Sequence, residues 1–302
     1  MKRFFLRQIQ DWNESDVLSV LGPTGSGKTS LVLGEIRRRY PQNLKHPCLV
    51  SLDAVSVYRG LDIGSAKPLG NSRLDFDWAG IDMADPDVKV TAADFVKEVL
   101  PRIELALKAN RPVILVGGSH FYERALVEGM SPGEASDPEF QKSLEATSAG
   151  DLHARLLEKD PRWSKLHIND RYRICRYLDL VERQGLSFDE LNAGVLKNQR
   201  AWDSTATLVL GVDANPDDIR QQMRSRIREM LVQGWIPETQ KLLNLYGATA
   251  PAIGAVGYRE ILEYLASPKE SRSPMDLEEK ILVAHMQLAK KQRTWLRGLM
   301  RT

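Results

Sequence analysis

The residues best equipped for chemistry stand near the start of the chain, in Gly22-Pro23-Thr24-Gly25-Ser26-Gly27-Lys28-Thr29. This spacing is that of a P-loop, and it falls where the pattern needs to fall, between an apolar run and a helical pattern. Glycines let successive backbone N–H groups turn toward a polyphosphate, and a helix N-terminus adds the positive end of its dipole. Lys28 supplies a point charge. The Thr29 hydroxyl is the group such a loop offers to Mg²⁺. Kinases and NTPases share the loop, so it identifies an anion and not a reaction.

An acid is expected near such a loop. In P-loop NTPases it ends an apolar strand and helps to hold Mg²⁺. Here the run Val113–Val116 ends in Gly117-Gly118-Ser119 with no acid, and the carboxylate follows another run, as Asp53 in Ser51-Leu52-Asp53. The carboxyl ends of adjacent parallel strands open on one crevice. Asp53 and Ser119 are therefore expected beside the phosphates held by Gly22 to Thr29. A carboxylate near an acceptor and a hydroxyl near a diphosphate describe a transfer site. Each also has a plainer reading: Asp53 as an outer Mg²⁺ ligand or helix cap, Ser119 as a capping serine.

These groups need a sheet to position them. Four short apolar runs read as buried parallel strands: Val17–Leu21, Cys48–Leu52, Val113–Val116 and Thr207–Val212. Helical patterns over Lys28–Arg39 and Ala92–Ala109, the latter opened by Thr91 as N-cap, alternate with them. Such alternation predicts an α/β fold, a P-loop-type parallel sheet core flanked by helices. From about Gly133 to Arg200 the chain is charged, helical in pattern and free of strand-like runs, with helix starts at Asp137-Pro138 and Asp160-Pro161. It reads as an all-α insertion domain over 133–200, set into a core of 16–132 and 201–302. Amphipathic helices follow over Pro216–Gln233, Glu238–Tyr246 and Leu277–Met300.

The bulk numbers are those of an ordinary soluble globular protein. The chain has 302 residues, 42% hydrophobic and 27% charged, with a net charge of +2. That balance does not advertise a nucleic-acid binder, so any RNA contact must come from a local basic face. No run approaches the ~20 apolar residues of a membrane span. The first 16 residues lack an apolar signal core and read as a short surface extension. Cys48 and Cys175 read as reduced thiols of a cytoplasmic protein, and the five histidines show no zinc spacing.

The order of the segments resembles the tRNA dimethylallyltransferase (IPP transferase) family from about Leu18 to Arg297. The resemblance is carried by Gly22–Thr29, by Asp53 with the stretch Val57–Pro68, and by Ile81-Asp82 with Asp85-Pro86. It continues in Val116–Ser119 with Tyr122, Asn169-Asp170 with Arg173 and Arg176, and Arg226 with Gly234. It ends in Ala255–Glu260 and Gln287–Gln292 with Thr294-Trp295. Asp62–Pro68, and Gly257-Tyr258 followed by Lys290–Trp295, are its more specific parts.

The resemblance implies transfer of a dimethylallyl group from dimethylallyl diphosphate to N6 of an adenosine in the anticodon stem-loop of tRNA. Gly22, Thr24, Gly25, Ser26, Gly27, Lys28 and Thr29 would hold the donor's diphosphate, with Mg²⁺ at Thr29. Asp53 would take the N6 proton, Ser119 would touch the donor or the base, and Arg226 would hold the leaving group. Ala54, Val55 and Ser56, then Tyr172, Arg173 and Arg176, then Gly257, Tyr258 and Arg259 would contact tRNA. Nothing in the sequence demands more than a monomer, and no membrane partner is expected.

Basic residues crowd two helical patterns, Arg171, Arg173 and Arg176 on one, Lys290, Lys291, Arg293, Arg297 and Arg301 on the other. A solvated surface is the plain alternative for such clusters. Trp235 and Trp295 read as core, while Tyr58 and Tyr258 stay open. Several positions depart from the family pattern: Ala54, Ser56, Trp78, Ala79, Tyr172, Gln141 and Met286. They cluster in adenine and RNA recognition, leaving the donor machinery intact. Three other readings stand beside the first: an adenylate isopentenyltransferase using free AMP, ADP or ATP, a small-molecule kinase, and a divergent RNA-binding paralogue. The insertion argues against the free nucleotide, and the absent acid after Val116 against the kinase.

Overall fold

The computed structural model describes residues 4–13, 17–68, 70–129, 133, 136–192, 207–211 and 215–300. The expected boundaries Asp16, Arg200 and Val212, and the cation Arg301, lie outside the described residues. The chain divides into two compact units, Met1–Val127 with Arg200–Thr302, and Glu128–Gln199.

The first unit is built on a parallel sheet of six strands. These are β1 (Phe4–Phe5), β2 (Val17–Leu21), β3 (Cys48–Leu52), β4 (Asp77–Ala79), β5 (Val113–Gly117) and β6 (Thr207–Gly211). Their order is β1-β6-β2-β5-β3-β4. Every side chain of β2 and β3 is buried, as expected for central parallel strands covered on both faces. Strand β5 lies between β2 and β3 and pairs Leu21 and Leu52 with the same residue, Gly117. The loops that leave these three strands therefore start level with one another.

Helices α1 (Lys28–Arg39), α2 (Asn71–Leu74), α3 (Ala92–Lys108) and α4 (His120–Val127) connect the strands. Basic residues Arg37, Arg38 and Arg39 sit in the last turn of α1, where the dipole favours cations. A capping box between Thr91 and Asp94 opens α3.

Two strands were not expected. β1 and β4 have two and three residues, too short for alternation to show. The reading of the first residues as a surface extension is overturned for the described part. Ile9 and Trp12 are buried against Leu18, Ile36 and Ile114, and the Arg39 guanidinium donates to the Trp12 carbonyl at 3.2 Å.

The helical unit contains α5 (Pro138–Ser143), α6 (Ala149–Lys159), α7 (Arg171–Leu178) and α8 (Phe188–Asn192). Asp137, Ser148 and Asp170 cap the first three with their side chains. The unit has its own core of Leu152, Leu156, Trp163, Ile174, Leu178 and Leu180. Cys175 belongs to that core, and both cysteines are free and buried.

The chain then returns through β6 to α9 (Pro216–Gln233), α10 (Trp235–Tyr246), α11 (Tyr258–Ala266) and α12 (Pro274–Leu299) in the first unit. An ion-pair ladder joins α9 to α12: Arg220 to Glu279 at 2.8 Å, Arg224 to Glu278 at 3.0 Å and Arg228 to Glu278 at 2.9 Å. No described helix is long and apolar enough to cross a membrane.

Candidate active site

The loop Gly22–Gly27 leaves the end of β2 and enters α1 with Gly25 and Gly27 both at φ +78°, the left-handed region in which a side chain is strained. Lys28, the first residue of α1, is buried. Its ammonium donates to the Pro23 carbonyl at 2.5 Å and lies 3.4 Å from Ser26 Oγ. The charge is thus folded over its own loop. Burial pulls the Lys28 pKa down to about 8, the Arg226 charge pushes the same way, and Asp53 opposes both.

Asp53 follows β3 directly. Its Oδ1 accepts the backbone N–H groups of Val55 at 2.7 Å and Ser56 at 2.9 Å. Among the described residues Oδ2 accepts no hydrogen bond, so one oxygen anchors the turn while the other is open to a ligand. Arg226, on α9, is half-buried and makes no hydrogen bond within the described residues. Burial lowers its pKa, against the opposing pull of Asp53 and Glu229. Desolvating a guanidinium without a partner is costly, and an anionic ligand is what relieves it.

The Ser119 N–H donates to the Leu52 carbonyl at 2.9 Å, which ties the exit of β5 to the residue before Asp53. Ser119 Oγ also lies 3.5 Å from the Tyr122 N–H at the start of α4, a weak cap at most. The crevice expected from strand order is present: Lys28, Asp53 and Arg226 feel one another's charge, and the Ser119 loop borders Asp53.

Other expected contacts fall differently. Ser56 is buried, with Oγ 3.0 Å from Ser51 Oγ, so its side chain cannot reach RNA, whereas Ala54 is exposed. Tyr258 is fully buried and donates to Glu238 Oε1 at 2.7 Å. The expectation that its side chain meets tRNA is corrected, while Arg259 beside it is exposed and pairs with Glu260 at 2.7 Å. Tyr58 is also core, its hydroxyl 3.3 Å from the Val90 N–H.

In the helical unit the three arginines divide. Arg171 donates to the Thr147 and Leu144 carbonyls at 2.5 Å, and Arg176 pairs with buried Asp179 at 3.0 Å. Arg173 remains largely exposed, next to Tyr172 at 76% exposure. The i, i+3 spacing is real, but Asp179 holds Arg176 toward its own unit. Gln141 also turns inward, to the Cys175 carbonyl at 3.3 Å.

On α12, Lys290, Lys291 and Arg297 are exposed. Trp235 is core as expected, but Trp295 is half-buried and stacks on His120 with centroids 4.8 Å apart. Trp78, at a departure from the family pattern, is buried, and its indole N–H donates to the Ser72 carbonyl at 3.0 Å.

The motif Asp62–Pro68 serves as a support. Lys67 is buried and pairs with Asp62 at 2.8 Å and Asp82 at 2.6 Å. Glu238 accepts the N–H groups of Asp62, Ile63 and Gly64 at 3.2, 2.8 and 3.3 Å.

Three residues of this region were given no role from the sequence: Glu238, His285 and Gln292, the last quoted only as the end of a family segment. His285 is buried, with Nδ1 2.9 Å from the Ile281 carbonyl, which assigns the neutral ring's proton to Nδ1. Burial lowers its pKa, and the carbonyl raises it. A signal existed on α12. Ile281, His285, Ala289, Gln292 and Leu296 recur at helical spacing on one stripe, and two of the five are polar.

The IPP transferase family model matches residues 56–299. A tRNA dimethylallyltransferase of Geobacter sulfurreducens is 32% identical over 298 residues, covering 95% of this chain and 91% of that one. Two solved structures share the fold. A tRNA isopentenylpyrophosphate transferase from Bacillus halodurans has a TM-score of 0.64 at 24% identity, over 94% of this chain and 87% of that one. A eukaryotic dimethylallyltransferase acting on tRNA has a TM-score of 0.74 at 22% identity, over 92% of this chain and 69% of that one.

Proposed function

Since the chain belongs to the IPP transferase family, we propose that it transfers a dimethylallyl group from dimethylallyl diphosphate to N6 of an anticodon-loop adenosine in tRNA. What supports the proposal is the strand register that sets the Asp53 and Ser119 turns beside the exit of β2, with Asp53 tied to its turn through Oδ1 alone and within charge range of Lys28 and Arg226.

The cradle amides, Lys28 and Arg226 grip the diphosphate. The Asp53 oxygen accepts a hydrogen bond from the N6 amine and orients its lone pair toward C1 of the donor. As the N6–C1 bond forms, the C1–O bond breaks and its electron pair leaves with the diphosphate. The N6 proton passes to Asp53. Charge building on the leaving group meets fixed donors in a partly dry site, usually the largest catalytic effect. The base must leave its stack, at a cost of a few kcal/mol that is smaller in a loop than in a duplex.

Thr29 offers an exposed hydroxyl at the end of the cradle, an oxygen donor that would help to hold Mg²⁺. Held there, the ion would supply neutralisation of charge on the diphosphate.

Exposed Tyr172 and Arg173 of the helical unit offer stacking and charge to RNA, and exposed Ala54 and Arg259 of the first unit lie on segments assigned to the same partner. A separate helical unit with its own core is surplus to a free nucleotide, which favours tRNA over AMP as acceptor. We assign the protein to the cytoplasm as a monomer. Labelled dimethylallyl diphosphate should mark a tRNA transcript with an adenosine at the acceptor position. Label that enters AMP and not tRNA would overturn the proposal.

A further inference from the structure

One amide of the cradle is already taken. The Thr24 N–H donates to Gln292 Oε1 at 2.7 Å, across 268 residues of sequence. The same side-chain amide lies against the turn after β5. A Cβ added to Gly118 would stand 2.4 Å from Gln292 Nε2, 2.9 Å from its Cδ and 3.2 Å from the Gly22 carbonyl. Gly118 is thus sandwiched between the P-loop entrance and α12, and Gln292 touches two of the loops that form the crevice. Polar groups on a buried helical stripe are costly unless their bonds do something specific.

We infer that Gln292 is a positioning residue that sets the register of the donor in the cradle. Its carbonyl oxygen sits where an anion's oxygen would otherwise meet the Thr24 amide. The diphosphate is therefore confined to the amides from Gly25 onward and to the N-terminus of α1. That confinement fixes how far C1 of the donor lies from the Asp53 oxygen. Through Gly118 the same amide holds the turn carrying Ser119, so both walls of the crevice are referenced to one side chain. The inference rests on the proposal that this loop holds the donor's diphosphate, and it deepens that proposal.

The test separates register from affinity. Gln292→Met keeps the volume and removes the acceptor. Inorganic pyrophosphate binding, read by calorimetry, should stay within about threefold of the parent or tighten, because the Thr24 amide is released. Turnover with tRNA should fall about 10²-fold, the scale of an ångström's misplacement. Turnover within twofold of the parent would overturn the inference, as would a loss of pyrophosphate affinity equal to the loss of turnover.

Should Gln292→Met fail to fold, Gln292→Glu keeps both acceptor and volume and sets a negative charge at the edge of the cradle. It should weaken pyrophosphate at least tenfold, and unchanged affinity would overturn the inference. A parent protein that does not bind pyrophosphate would instead remove the cradle assignment beneath it.

Discussion

The hydroxyl of Tyr258 donates to Glu238 Oε1 at 2.7 Å, and the same carboxylate accepts three consecutive backbone N–H groups from Asp62 to Gly64. One carboxylate thus joins two segments that are nearly 200 residues apart and that carry the family resemblance. Burial, followed by Glu238, raises the Tyr258 pKa, so the phenol stays a donor at any ordinary pH.

Glu238→Ala should therefore act on stability. It strands three amides and a buried hydroxyl, each costing ~1–3 kcal/mol when unpaired. Urea unfolding should show a loss of about 3 kcal/mol or more. A loss under 1 kcal/mol would refute the supporting role. Tyr258→Phe should cost about 1 kcal/mol and leave RNA affinity unchanged, since the ring is fully buried.

Asp53→Asn tests the base. An asparagine keeps an oxygen to accept the Val55 and Ser56 amides, so the turn survives while the basic oxygen is lost. Turnover should fall ~10²–10⁴-fold, the usual value of a positioned general base. Pyrophosphate affinity should hold or improve, because a negative charge leaves the cradle. An unchanged single-turnover rate would take Asp53 out of the mechanism.

Lys28 makes the free protein's anion affinity depend on pH. Its pKa is lowered to about 8, so the ammonium is charged at pH 7 and lost as pH rises through that value. Pyrophosphate affinity should fall above about pH 8, and Lys28→Met should be weak and flatter over the same range. Stability should move the other way. Between about pH 8 and the ordinary lysine value the unfolded chain holds the extra proton, so folding gains as pH rises. Affinity that climbs from pH 8 to 9.5 would contradict the assignment.

The helical unit's arginines should separate by experiment. Arg173→Ala should weaken tRNA binding and reduce the salt dependence by about one phosphate contact, with no change in melting temperature. Arg171→Ala should lower the melting temperature of the chain, because its guanidinium satisfies the Leu144 and Thr147 carbonyls. Identical behaviour of the two variants would mean that exposure does not decide which arginine meets RNA.

The central strands, α1, α3 and α9 were legible to within a residue over the described residues. Their signals are local: unbroken apolar runs, the glycines and lysine of Gly22–Thr29, and the cap at Thr91. The crevice uniting Asp53, Ser119 and the loop was legible too, since parallel strands align their carboxyl ends. The short edge strands were not, because two or three residues carry no period.

Nor did spacing separate the arginines of α7. Arg173–Asp170 and Arg176–Asp179 are local i, i+3 pairs, but only the packing of the Leu144–Thr147 turn brings carbonyls to Arg171 and turns it inward. Tyr258, Glu238 and Gln292 follow the same rule. The partner of each lies at least 20 residues away, and a hydrogen bond depends on distances of a few tenths of an ångström that only the folded chain sets.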